Sequence, residues 1–390
     1  MKKYFFFAAA ALLALAACSK VTPVAEPDQE ISFRAVSYVN STKADGQGTN
    51  QEQNKHGHYN LNQNFGVYAF MTNDTEWANY TGDLVVYMNG VEVARQNVGT
   101  AWTPATAYYW PKKGMLTFAA WAPFTAKPTS YAYNADGNVF TYTDYTVAAA
   151  ADVDLMVSDI ADNYTQSKEA ALTSDDRHFA SEGVPLVFNH ILTKLAFQFK
   201  EAAYPSAYTT VPAGSPTGTK SIVDPEQSSI TITEVKLVNF VYTKDFSNGD
   251  WETNQQAGDG EVTYVIENPA ELTPGATDAV PSATEPMILP QTLIANPENA
   301  TTVSVQALYI KYNIKTYYNE GGAITEQDVE ATVPFYNSLT PSSTGTANEF
   351  KKNQKILFTV TITPFAEDPI KFDPAVVDWD ATTTGAIDIK

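Results

Sequence analysis

The chain has 390 residues, 44 acidic against 24 basic, a net charge of −20 and one cysteine. Such a surface repels phosphate backbones and no Lys/Arg cluster interrupts it, which argues against nucleic acid as a partner; a single cysteine excludes a disulfide-stapled scaffold. Only 17% of residues are charged while 12% are aromatic, a composition of strands rather than of long helices or disorder.

The first eighteen residues read as an export signal. Lys2 and Lys3 precede an apolar run from Tyr4 to Leu15, and Leu15-Ala16-Ala17-Cys18 closes it with small residues before the cysteine. The run is shorter than the roughly 20 residues a spanning helix needs, so residues 1–17 are expected to be a removed leader. The ending resembles the bacterial lipobox, which implies acylation at Cys18 and a tether to the outer membrane. An ordinary secretory leader with a buried cysteine is the other reading, and it keeps the exported destination. Several acyl chains, at roughly 0.8 kcal/mol per buried methylene, anchor a protein without any spanning segment. Residues 18–30, small, polar and proline-containing, suit a flexible tether.

Ile31, Phe33 and Ala35 then alternate with Ser32 and Arg34, as in a half-buried strand. Ser41 to Tyr59 is amide- and glycine-rich and reads as an exposed loop; its His56 and His58 lack further partners at metal-ligand spacing. Phe65 starts a strand, and Leu84 to Val93 is expected to be a hairpin with its corner at Asn89-Gly90. In Trp102 to Pro123, aromatic residues flank a Pro-Lys-Lys-Gly turn and a strand from Met115 to Trp121. Trp102, Trp110 and Trp121 are expected in a core rather than on a ligand platform. A further hairpin is expected around Asp136-Gly137, a short strand at Asp152 to Ser158, then an acidic loop through Glu182 without the spacing of a calcium loop.

Val184 opens a long apolar stretch to Lys200 that reads as one strand, with Ile191, Leu195, Phe197 and Phe199 on one face and His190 as a structural histidine. The phase slip between Ile230/Ile232 and Val235/Leu237 predicts a β-bulge near Glu234. A similar slip leaves Leu308, Ile310 and Ile314 as the apolar set of a later strand. Asn248-Gly249 marks a turn, while Ala270 to Pro290, rich in proline, is expected at the surface. Ile356, Phe358, Val360 and Ile362 alternate as a core strand. The tail from Pro369 offers Ile370, Phe372, Val376, Val377 and Trp379, with Pro374 expected to split it into two short pieces.

No G-x-S-x-G elbow, H-E-x-x-H, P-loop or dinucleotide fingerprint is present, so the sequence offers no signature of an enzyme, cofactor or metal site. Paired carboxylates from distant strands are the one catalytic arrangement that inspection leaves open.

Taken together, several stretches resemble the fimbrillin family of type V pili: the lipobox, Ile31-Ser32-Phe33, Ser41-Thr42-Lys43-Ala44, FGVYAF, WTPATAYYWP with LTFAAWAP, DLMVS, FNHILTKLAF and FDPAVVDW. The resemblance implies an all-β chain of two antiparallel β-sandwich domains with transthyretin-like topology, expected over residues 31–182 and 183–390. It also implies a non-enzymatic fimbrial subunit that supports adhesion, with a host protein or glycan as target. In that family an extracellular trypsin-like protease, often arginine-specific, cuts the loop after the first strand; a terminal strand of a neighbouring subunit then fills the groove. The matching position here is Lys43, with Arg34 inside the strand. Ile31 and Phe33 would belong to the strand exchanged, and Ile370, Phe372, Val377 and Trp379, within residues 369–390, to the tail that donates. The alternative is a lipid-anchored surface glycan-binding β-sandwich protein, which exposed tryptophans would mark.

Overall fold

The computed structural model describes residues 29–38, 58–61, 63–97, 100–135, 137–147, 153–170, 183–205, 209, 223–253, 264–266, 271–272, 279–281, 284–295, 305–318, 324–336, 338–339, 348–364 and 370–377. Cys18, Lys43, His56 and Trp379 lie outside them. The first half runs β1 (Phe33–Tyr38), β2 (His58–Asn60), β3 (Phe65–Met71), β4 (Val85–Ala94), β5 (Thr103–Pro104), β6 (Leu116–Ala122), β7 (Ser130–Tyr131), β8 (Phe140–Thr146), β9 (Met156–Ser158), β10 (Ala161–Tyr164) and β11 (Val184–His190). The second half runs β12 (Thr193–Glu201), β13 (Ser229–Val238), β14 (Thr243–Ser247), β15 (Asp250–Trp251), β16 (Tyr264–Ile266), β17 (Val280–Pro281), β18 (Met287–Ile288), β19 (Gln291–Thr292), β20 (Ala307–Tyr317), β21 (Ile324–Pro334), β22 (Glu349–Phe350), β23 (Gln354–Ile362) and β24 (Lys371–Val377). The protein is all-β, as expected.

The first sheet has the order β2-β1-β11-β9-β6-β3-β4-β5, with β10 also on β6. Its strands alternate, but both faces are covered. Phe65, Val67 and Ala69 of β3 and Phe118 and Ala120 of β6 point into one core. Tyr68 and Phe70, with Ala119 and Trp121, point into a second. Every residue of β6 is therefore buried, which explains why apolar residues occupy both of its faces, with Thr117 as the one polar exception.

The second core continues into the other half. There β12 and β23 (Leu195, Phe197, Phe199, Ile356, Phe358, Val360) face β13 and β20 (Ile230, Ile232, Val235, Leu237, Leu308, Ile310), and the sheets β17-β12-β23-β24 and β16-β13-β20-β21 form the two layers. A smaller sheet, β15-β14-β8-β7, pairs β8 of the first half with β14 of the second. Among the described residues two ladders are parallel, β1 with β11 and β12 with β23; the others are antiparallel.

The bulge expected near Glu234 is present: Ile232 pairs with Tyr312 and Glu234 with Lys311, leaving Thr233 extra. Asn248 and Gly249, with φ of 52° and 84°, make the β14–β15 turn. Trp102, Trp110 and Trp121 are at most 5% exposed.

Four expectations are corrected. Asn89-Gly90 is no hairpin corner, because β4 passes through it unbroken: Val67 pairs with Val91 and Ala69 with Met88, so Asn89 and Gly90 together oppose Tyr68. The left-handed backbone of Gly90 serves a bulge, and a Cβ there would sit 3.2 Å from the Tyr68 ring. The stretch from Val184 to Lys200 is two strands in two sheets, broken at Ile191 and Leu192. By its pairing β11 belongs to the first sheet, and the chain passes to the next sheet between His190 and Thr193. Strand β1 is buried on both faces instead of one. Finally, Pro374 interrupts nothing: β24 pairs with β23 continuously from Lys371 to Val377, and an edge strand tolerates a residue that donates no ladder bond.

Glu201, the last residue of β12, is 2% exposed. Burial pushes its carboxyl pKa up to about 8, partly offset by the Ile230 N–H. The native carboxyl thus keeps its proton where the unfolded one ionises. Stability is full below the unfolded value near 4.5 and is lost as pH rises toward about 8, by on the order of a few kcal/mol. Replacing Glu201 with Gln should flatten that slope, so that thermal melts of the variant exceed wild type at pH 8 but match it at pH 4.

Candidate strand-exchange seam

The strand around Phe33 closes the first sheet. Phe33 and Trp102, just before β5, exchange two backbone hydrogen bonds of 2.8 Å, the Ile31 N–H donates to Tyr108 O at 2.7 Å, and the Trp110 N–H donates to Gln29 O at 3.0 Å. On its other edge β1 runs parallel to β11 through six pairs, from Phe33↔Val184 to Tyr38↔Asn189. The Val184 N–H donates to Ser32 O at 2.8 Å. Further along, Val36 to Tyr38 pair with β2. A strand near the start of the described chain is thereby bonded on both edges, and the two ends of the sheet meet at it.

Side chains follow the ladder. Ile31, Phe33 and Ala35 point into the enclosed core. The Phe33 ring meets Phe118 edge-on at 5.4 Å and Phe65 at 6.1 Å. Phe65 in turn lies 5.3 Å from both Trp102 and Phe188, and Trp110 packs on Phe118 at 5.9 Å. Withdrawing β1 would leave an apolar groove floored by these rings and rimmed by unpaired backbone groups from β11 and from residues 102–110. On the outside, the Arg95 guanidinium covers the Trp102 ring at 4.8 Å.

Gly183 fixes how closely β11 approaches. Its φ is +119°, and a Cβ there would lie 2.7 Å from the Phe33 nitrogen and the Ser32 carbonyl. Only glycine fits that contact without displacing β1.

The structure places Ile31 and Phe33 at 1% and 0% exposure within the seam. Arg34 is also in β1, 2% exposed and opposite Pro185, so it is shielded while the strand is docked. Ile370, Phe372 and Val377 fall elsewhere. Ile370 packs half-buried against the core of the second half, Phe372 pairs with Val360, and Val377 pairs with Lys355. His190 is buried with its Nδ1 2.7 Å from Asp154 Oδ1. Among the described residues no three His, Cys, Asp or Glu side chains converge as metal ligands. Sequence reasoning missed Gly183 and the partnership of Trp102, Tyr108 and Trp110 with β1; the density of aromatics in that block was the available signal.

A family model described as fimbrillin-like matches residues 42–379. The chain belongs to the fimbrillin-like family. A search of curated proteins found no match. Among solved structures, the fimbrillin-like chain is similar to a candidate cell adhesion protein from Bacteroides uniformis, at 17% identity and a TM-score of 0.41 over 90% of this chain and 98% of that one. It is also similar to one from Parabacteroides distasonis, at 11% identity and 0.43 over 90% and 100%. The third is the tip fimbrial protein Mfa3 from Porphyromonas gingivalis, truncated at its C-terminus, at 10% identity and 0.35 over 90% and 100%.

Two substitutions test the seam of this fimbrillin-like protein. Phe33→Ala should cost about 3–5 kcal/mol in urea unfolding, as large-to-small core changes do. Gly183→Ala should loosen β1 locally, read as trypsin cleavage after Arg34 under conditions in which wild type resists it.

Proposed function

We propose that the chain is a structural and adhesive subunit of cell-surface fimbriae, exported as an outer-membrane lipoprotein through Cys18 and assembled by protease-triggered β-strand exchange. One observation carries this reading: the strand between the leader and Lys43 closes an otherwise open sheet with hydrogen bonds on both edges. A cut after Lys43 would sever β1 from the body without touching any described ladder, and departure of β1 would uncover a groove that a strand from another subunit can fill. The shielding of Arg34 favours Lys43 as the processing position. The same strand exchange makes other fimbrial subunits and an extracellular trypsin-like protease the partners.

The donor is constrained as well. Residues 371–377 already pair with β23, so giving them to a neighbour would strip a ladder from the second half. Residues 378–390, with Trp379, Ile387 and Ile389, lie outside the described residues, and we assign the donor role to them on their sequence. The glycan-platform alternative loses its main support, because Trp102, Trp110 and Trp121 are all buried.

Lys43→Ala should block processing, so that mass spectrometry of the mature N-terminus from intact cells finds acylated Cys18 in place of a chain beginning at Ala44. Cys18→Ala should abolish membrane retention of the precursor; an alanine variant that stays in the membrane fraction contradicts lipid anchoring. Truncation after Val377 should abolish polymer while leaving the melting temperature unchanged, whereas truncation after Pro369 should also lower it. Undiminished polymer from the shorter truncation would place the donor strand elsewhere.

A further inference from the structure

A concave site lies away from the seam, within the second half. It is a pocket of about 530 Å³, within the range of small-ligand sites. Its walls come from β14 and β15, from β19 and the residues on either side of it, and from β22 with residues 351–352.

Strand β14 carries a charge where its pattern calls for an apolar residue. Thr243, Asp245 and Ser247 are exposed, and Lys244 shares the buried face with Phe246. Lys244 is 8% exposed and lines the pocket. Its ammonium donates to Pro290 O at 2.9 Å, the one hydrogen bond it makes among the described residues. An ammonium carries three N–H groups, so two remain unmatched. No described carboxylate forms an ion pair with it: burial holds its pKa below the usual lysine value, and the exposed Glu252 offsets this only through space. A charge withdrawn from water without a counter-ion in contact is costly.

The other polar groups of the lining are engaged. Gln291 Oε1 accepts from the Val241 N–H at 3.1 Å and from Gln306 Nε2 at 3.3 Å, while Gln291 Nε2 donates to Leu289 O at 3.0 Å. Gln306 Oε1 accepts from the Ile294 N–H at 3.1 Å. The outer charges pair among themselves, Lys351 with Glu349 at 3.8 Å and Lys352 with Asp250. One ammonium is left for one negative charge, which suits a carboxylate better than a doubly charged phosphate. Val241, Trp251, Ile294 and Phe350 supply an apolar lining. We infer that this pocket binds a small monocarboxylate with an apolar body, its carboxylate accepting from Lys244 Nζ and its body lying against that lining.

The inference is independent of strand exchange, because the pocket is apart from the seam and the test uses the unassembled full chain. Calorimetry and saturation-transfer NMR with hexanoate and phenylacetate should show binding of at least one, and the corresponding amide, hexanamide or phenylacetamide, should bind at least about tenfold more weakly. Lys244→Met, which keeps the length of the side chain without its charge, should abolish binding of the acid in a variant shown by its melting curve to be folded. Glu252→Gln, at an exposed position, should tighten binding about threefold by removing a like charge; this variant decides the matter if Lys244→Met does not fold. Failure of both acids to bind would overturn the inference. So would amides that bind as well as the acids, inorganic phosphate that binds in their place, a folded Lys244→Met that still binds, or an affinity that Glu252→Gln leaves unchanged.

Discussion

The structure depends on the paired hydrogen bonds between Phe33 and Trp102. A curled sheet that stops short of closure exposes two edges and the mouth of its core; joining β1 to residues 102–110 on one side and to β11 on the other removes that edge pair. The aromatic content of the enclosed core follows. Phe33, Phe65, Phe118, Phe188, Trp102 and Trp110 can be buried together only because the wall is continuous around them. The closing strand is also the one with the least sequence holding it: it reaches the rest of the chain covalently only through residues 39–57. Under the proposed strand exchange, a closure strong in ladder bonds yet severable by one peptide cleavage is what replacement of β1 would require.

The other face of the same sheet sets the relation between the halves. Tyr68, Phe70 and Trp121 pack with Phe140 of β8, and β8 is laddered to β14. Phe246 of β14 then lies 5.1 Å from Trp251, whose indole N–H donates to Ile191 O. Ile191 sits at the point where the chain leaves the first sheet for the second. The halves are thus joined by a shared sheet and a continuous apolar core, and not by the chain alone.

Much of the second half was legible because its strands are covered on one face. Clean alternation in β23 and the phase slip at Thr233 each have a unique solution once one face must be buried. The first half was harder, since burial on both faces erases alternation: β1 reads as half-buried although Arg34 and Val36 are as enclosed as Phe33. Asn89-Gly90 carries the local chemistry of a tight turn, and the same left-handed backbone serves a bulge equally well, so only the partner strand decides. The break at Ile191 and Leu192 is invisible because apolar residues continue through it; both are buried where two sheets meet. At the seam, the alternation of Ile31 and Phe33 was visible while their partners, about seventy residues away, were not. Gly183 has no local signature at all: its necessity comes from the 2.7 Å approach of another strand.

Under the proposed strand exchange, geometry also limits what could occupy the seam. A replacement strand must meet β11 on one edge and residues 102–110 on the other, so its side chains must alternate strictly between core and exterior. Ile31-Ser32-Phe33 satisfies this with two large apolar residues two apart. Within the tail, Val376 and Val377 are adjacent and cannot both face one core, whereas Ile387-Asp388-Ile389 repeats the required period with a charge on the outward position. Ordering a strand costs roughly 1–2 kcal/mol per residue, and two anchors of about 1.5–3 kcal/mol each do not offset that for a long segment. The second ladder edge supplies what the anchors lack, at about 0.5–1.5 kcal/mol net for each bond. A seam bonded on both sides can therefore accept a donor with few large side chains, provided that they stand two residues apart.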